Sequence, residues 1–117
     1  MYNIIFYEDR KGRSPVRDYT NALALKIDKN SQIKFRQIQR QINFLTESGT
    51  RIGEPVVKHI KGEIWELRPL RDRILFAAWV GDSFVLLHTF QKETQKTPRS
   101  EIEKAERELE DFKERFG

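Results

Sequence analysis

The feature that most constrains this chain is a change in the spacing of its apolar residues at Gly53-Glu54-Pro55. Before that break they recur at helical intervals. After it they alternate or run together, as they do in strands. A chain that keeps the two patterns in separate blocks builds an α+β domain, with helices packed on an antiparallel-dominated sheet.

The helical block is preceded by one short strand, Ile4-Ile5-Phe6-Tyr7, and a polar break at Glu8-Asp9-Arg10-Lys11-Gly12. Ser14-Pro15 then reads as a helix N-cap followed by proline at the first helical position, where its missing N–H costs nothing. Val16, Tyr19, Leu23 and Ile27 follow at helical spacing. A second helix is expected from about Ser31, with Phe35, Ile38, Ile42 and Leu45 on one stripe and Gly49 as its stop. The two form a helical hairpin.

In the strand block, Val56–Ile60 is a candidate strand ending in the turn Lys61-Gly62-Glu63. Ile64–Arg68, Arg73–Val80 and Ser83–Lys92 are stronger, being rich in aliphatic and aromatic residues. Gly81-Asp82 suits a two-residue hairpin turn. A last helix begins near Thr97-Pro98 or Ser100, with a possible Ser100/Glu103 capping box. Ile102, Ala105, Leu109, Phe112 and Phe116 give it one apolar stripe. The order is βααβ(β)ββα in a single domain, residues 1–117, with no linker or repeat.

The 117 residues suffice for one core without covalent staples. The chain has no cysteine, which removes disulfides, thiolate metal sites and a cysteine nucleophile. Glu8 and Asp9 interrupt the N-terminal apolar run too early for a signal sequence, and no run approaches membrane-spanning length. A cytoplasmic protein is expected. Up to residue 99 there are 18 Lys/Arg against 11 Asp/Glu, and beyond it 4 against 7, giving balances of +7 and −3. A basic body favours nucleic acid through phosphate neutralisation. The same charges also serve solubility.

A two-residue turn at Gly81-Asp82 would set Val80 against Ser83, Leu75 against His88 and Arg73 against Phe90. Strand alternation then places Arg73, His88, Phe90 and Lys92 on one face. If the Pro69–Asp72 loop leaves Arg68 opposite Arg73, Arg68 and Glu66 join them. A slip of one residue would scatter the set.

Such a set suits cleavage of RNA by its own 2′-hydroxyl. That reaction needs a base for the hydroxyl, cations for the charge building on the phosphorus, and an acid for the leaving 5′-oxygen. Arginine offers a planar fork to phosphate, and lysine a mobile charge. Histidine, with a pKa of about 6.5, serves as acid or base near neutrality. Glu66, counted with the substrate-contact residues, is set either to orient an arginine or to act as the base, and the two arginines nearby favour the ion pair. Lys58, His59, Phe90 and Lys96 are candidates for substrate contact, Phe90 by stacking on a base. The structural alternatives are also open: arginines paired with Glu66 or Asp72, a packed His88, and Lys34, Arg36 and Arg40 as a solvated helix face. Two histidines without cysteines or paired carboxylates make no metal site.

The run Trp65-Glu66-Leu67-Arg68, Arg73-Ile74-Leu75-Phe76, Leu87-His88-Thr89-Phe90-Gln91-Lys92, Thr94-Gln95-Lys96-Thr97-Pro98 and Glu101–Ala105 resembles the phage-derived HigB-like branch of the RelE/ParE toxin superfamily. The resemblance implies a RelE-like fold and a metal-independent, cofactor-free endoribonuclease, an mRNA interferase acting at the ribosome. It also implies a HigA-type helix-turn-helix antitoxin as partner, with DNA reached only through that antitoxin. Arg68 and Arg73 match the arginines of the family's central strands, His88 and Lys92 its His-x-Phe-x-Lys strand, and Lys96 its Lys-Thr-Pro segment. Two departures stand out: Glu93 replaces a second lysine, and there is no C-terminal tyrosine. The alternative is a basic module of the same fold that binds RNA or a partner without cutting.

Overall fold

In a computed structural model describing residues 1–117, one five-stranded sheet is covered by the helical hairpin on one face and by the last helix on the other. The elements are β1 (Asn3–Phe6), α1 (Pro15–Leu25), α2 (Lys29–Ser48), a 3-10 turn (Gly49–Ile52), β2 (Val57–Lys61), β3 (Ile64–Leu67), β4 (Asp72–Trp79), β5 (Ser83–Gln91) and α3 (Arg99–Phe116). The strand order is β1-β5-β4-β3-β2. Only β1 runs parallel to its neighbour, and the other pairs are antiparallel.

The helix ends depart from the sequence expectations in instructive ways. Pro15 does open α1, but the buried Ser14 hydroxyl donates to the Tyr7 carbonyl at 2.6 Å instead of capping. Asp18 reaches back to accept the Ser14 N–H at 3.0 Å, and the first turn of α1 has no side-chain cap. α1 stops at Leu25, so Ile27 lies outside it and is 92% exposed. α2 starts earlier than Ser31 because Asp28 accepts the Ser31 N–H at 3.0 Å. Gly49 ends α2 as expected, with φ +62, and a Cβ there would lie 2.9 Å from the Tyr2 ring. α3 begins after Pro98, whose ring has no acceptor to cap it, and the Thr97 hydroxyl bonds Glu66 instead.

Strand alternation divides the core in two. Leu67, Ile74, Phe76 and Leu86 pack under α1 and α2, against Val16, Leu23, Ile38 and Leu45. Ile64, Leu75, Ala77 and Leu87 pack under α3, against Ala105, Leu109 and Phe112. The acidic end of the chain is matched to its own basic body. Arg10 pairs with Asp111 at 3.0 Å and Lys61 with Glu106 at 3.5 Å, and the Tyr7 hydroxyl also donates to Asp111 at 2.8 Å. Burial, reinforced by Asp111, pushes the Tyr7 hydroxyl up to about 12. No helix is long and apolar enough to cross a membrane.

Candidate functional site

The β4–β5 hairpin brings the expected residues together by a route the sequence did not suggest. Its turn has three residues, since Trp79 pairs with Ser83, so near the turn the register is one residue off the expected one. The shift ends between Phe76↔Leu86 and Leu75↔His88, where Leu87 is an extra residue with no opposite number. Such a bulge turns two successive side chains toward one side. Leu87 and His88 therefore both face α3, and Arg73↔Phe90 is restored. On β3, the pairs Glu66↔Leu75 and Leu67↔Ile74 continue toward Arg68 opposite Arg73. Lys58 of β2 sits opposite Glu66 and shares its face.

Glu66 is the hub of this face. It is 2% exposed, with Oε1 at 3.5 Å from Arg68 Nε and 3.7 Å from Arg73 Nε. Its Oε2 accepts the Thr97 hydroxyl at 2.7 Å. Arg73 is buried as well, and its Nη1 donates to the Leu70 and Asp72 carbonyls at 2.9 and 2.8 Å. Leu70 has φ +55, a left-handed turn conformation that directs its carbonyl to this bond. Burial holds the Arg73 guanidinium below the usual arginine range, opposed by Glu66 and reinforced by Arg68. An arginine stays protonated nonetheless. A carboxylate between two guanidiniums needs further partners to offset desolvation, and Thr97 and the two carbonyls supply them.

Residues 92–98 form a strap from the end of β5 back across the sheet to Glu66. Beneath it, Arg73, Phe90, Lys92, Thr94 and Pro98 line a slot of about 10 Å³, room for no more than one water. Beside it opens a hollow of about 220 Å³ lined by Lys58, Arg68, Glu66, Lys96, Thr97 and Ile102. Lys58, Lys92 and Lys96 have no ion-pair partner in the chain. Arg68 touches only Glu66 and, at 3.9 Å, the exposed Glu54, and its buried Nε makes no hydrogen bond. The hollow therefore offers uncommitted positive charge beside a rigid buried guanidinium, an arrangement suited to a phosphate.

Of the residues singled out by sequence, Lys58, Glu66, Arg68 and Lys96 meet at the hollow, and Arg73, Phe90 and Lys92 at the adjoining slot. His88 shares their face but not their space. It is 7% exposed under α3, its Nε2 lies 2.7 Å from Glu101 Oε1, and its ring stacks near Phe90. His59 borders the hollow, yet its ring is committed. Its Nε2 bonds the Gly62 carbonyl at 2.8 Å, and the ring packs edge-on against Trp65, its cross-strand partner. Sequence reasoning missed Thr97 as the latch on Glu66 and Glu101 as the partner of His88. Neither carries a local signal, because both bonds join α3 or its approach to a distant strand. No three His, Asp or Glu side chains come together as they would to hold a metal ion.

A family model described as Phage derived protein Gp49-like (DUF891) matches residues 25–110, which span α2, β2 to β5, the strap and most of α3. Every residue of the hollow and the slot lies within that match. No curated protein matches the chain.

Proposed function

Because the chain belongs to the Gp49-like phage-derived family, a RelE/HigB-type toxin family, we propose that it is the toxin of a toxin-antitoxin pair and cleaves mRNA on the ribosome, in the cytoplasm. The observation that carries this reading is the hollow where Lys58 and Lys96 stand without ion-pair partners beside Arg68, which shares the buried Glu66 with Arg73. The scissile phosphate sits against Arg68, and Lys58 and Lys96 hold flanking phosphates. The RNA 2′-hydroxyl gives its proton to water as its oxygen attacks the phosphorus, the bond to the 5′-oxygen breaks and that oxygen takes a proton from water, and the products are a 2′,3′-cyclic phosphate and a 5′-hydroxyl. Arg68 bonds the oxygens that gain charge in the transition state. Arg73 holds Glu66, and through it the plane of the Arg68 fork. Lys92 adds charge at the slot, and Phe90 closes its wall. His88 acts from behind the face: bound to Glu101, it anchors the first turn of α3 and thereby the strap. A HigA-type antitoxin is the proposed partner, and DNA is contacted only through it.

The test is cleavage of mRNA by purified protein with and without ribosomes, read by primer extension, and growth arrest on induction with and without the neighbouring gene. Arg68→Ala should lower the rate about a hundredfold or more, as loss of one preorganised donor at a phosphoryl transition state does. Arg68→Lys should recover only part, because the fork is lost. A wild-type protein that binds mRNA but never cuts it would instead make this a non-catalytic binding module.

A further inference from the structure

The core-facing stripe of α2 carries a polar residue where an aliphatic one would fit. Ile38, Ile42 and Leu45 are buried on that stripe, and the half-buried Gln41 stands among them, at helical spacing from both Ile38 and Leu45. Its carboxamide takes both polar groups of one backbone unit at the end of β3. Oε1 accepts the Arg68 N–H at 3.1 Å, and Nε2 donates to the Arg68 carbonyl at 3.4 Å. Of the two arginines at the site, only Arg68 needs such a hold. Arg73 lies inside β4, whereas β3 and its pairing to β4 end at Leu67↔Ile74. Arg68 therefore stands just past the ladder, before Pro69 and the turn in which Leu70 has φ +55, with a single strand bond from its N–H to the Val56 carbonyl at 3.0 Å. Its side chain supplies no anchor of its own: the guanidinium meets Glu66 and Glu54 at 3.5 and 3.9 Å, and its buried Nε makes no hydrogen bond.

We infer that Gln41 is a positioning residue, which pins the root of Arg68 to α2 and so fixes where the guanidinium stands in the cationic hollow; its effect on rate rests on the ribonuclease reading of that hollow. A long side chain magnifies any tilt at its Cα, and a misplacement of about 1 Å at a reacting centre can cost on the order of a hundredfold in rate. The clasp leaves the guanidinium free of hydrogen bonds at Nε, so the arginine is held in place without being used up. The hold is one carboxamide bonded directly to Arg68, and it does not pass through the packing of Leu45 one turn further along α2.

The experiment compares the wild-type chain with Gln41→Leu, which keeps the apolar stripe continuous and removes both bonds. In cleavage of mRNA on ribosomes, kcat should fall about tenfold or more. KM should change less than about twofold, because Lys58 and Lys96 still hold the RNA. In an Arg68→Ala background the same substitution should change nothing further, since Gln41 acts through Arg68. Gln41→Ala, which adds no bulk, should repeat the pattern and serves if Gln41→Leu does not fold. A second readout is free of cleavage: in the 15N-labelled chain, the Arg68 backbone amide should exchange faster and the Arg68 Nε–H signal lose order in Gln41→Leu, while the Arg73 Nε–H signal stays as it is. A wild-type kcat in the folded variants would overturn the inference, as would a loss carried wholly by KM, a further tenfold loss in the Arg68→Ala background, or unchanged Arg68 signals. A wild-type chain that shows the Arg68 signals and their loss in Gln41→Leu, yet never cuts mRNA, would sink the ribonuclease reading alone and leave the clasp standing.

Discussion

Under α1 and α2 the sheet presents Leu67, Ile74, Phe76 and Leu86, and of the five buried Asp, Glu, Arg and His side chains only Asp72 lies there, hydrogen-bonded by the Tyr19 hydroxyl at 2.8 Å. Under α3 lie the other four: Glu66, Arg73, His88 and Glu108. The difference separates two tasks. An apolar layer stabilises in proportion to the area it removes from water. A layer containing buried charge gives up part of that gain to desolvation and obtains fixed, oriented donors in return. The α1–α2 face should therefore hold most of the stability, and the α3 face most of the chemistry.

The strongest challenge to that division is Leu45→Ala, which empties a fully buried position of the apolar layer. A loss of about 3 kcal/mol in unfolding free energy is expected, within the usual range for such cavities. Urea denaturation measures it. Under the proposed function the fraction still folded should cut RNA at the wild-type rate, and a folded Leu45→Ala chain that is slow would join the two layers.

Glu108 sharpens the comparison from the other side. Its Oε1 is buried without a partner, and burial pushes its carboxyl up to about 7, with Lys104 and Arg107 pulling the other way and Asp9 adding to the rise. A carboxyl whose pKa is raised on folding stabilises the fold fully below its unfolded value and loses that contribution as pH rises through about 7. Glu108→Gln should thus raise stability at pH about 8 by on the order of 2 kcal/mol and change little at pH about 4. Equal gains at both pH values in thermal melts would show that the carboxylate is not the source of the strain.

The smallest expected effect belongs to Lys96→Ala. An exposed lysine on the strap should contribute several-fold to RNA affinity, and its loss should reduce the slope of log affinity against log salt by about one. Thermal stability should stay constant. A large loss of stability would mean that the strap is held by Lys96 and not by the Thr97–Glu66 bond.

How much of this was legible in the sequence depends on how local the cause was. All five strands and three helices follow from apolar spacing, and Pro15 and Gly49 punctuate the hairpin as their backbone preferences require. Helix ends were less legible, because Asp28 competes with Ser31 for the start of α2, and α1 yields at Leu25 to the turn that feeds it. The shared face of Glu66, Arg68, Arg73 and His88 was foreseen through a register wrong by one at the turn. The bulge at Leu87 cancels that error. A bulge leaves no mark in an apolar run such as Phe84–Leu87, where either face accepts every residue.

By itself, then, the sequence determined which elements form and which residues alternate within each strand, since side-chain direction in a strand is a property of neighbouring residues; the bulge at Leu87 decided that His88 joins the face of Arg73. Only the tertiary structure decided which of those groups are available. The packing of α3 buries His88 against Glu101, and the strap lowers Thr97 onto Glu66. Lys58, Arg68 and Lys96 are left along an open wall. The physical reason is range: a charge is satisfied or free according to what lies within a few ångströms, and those neighbours come from parts of the chain 13 and 31 residues away.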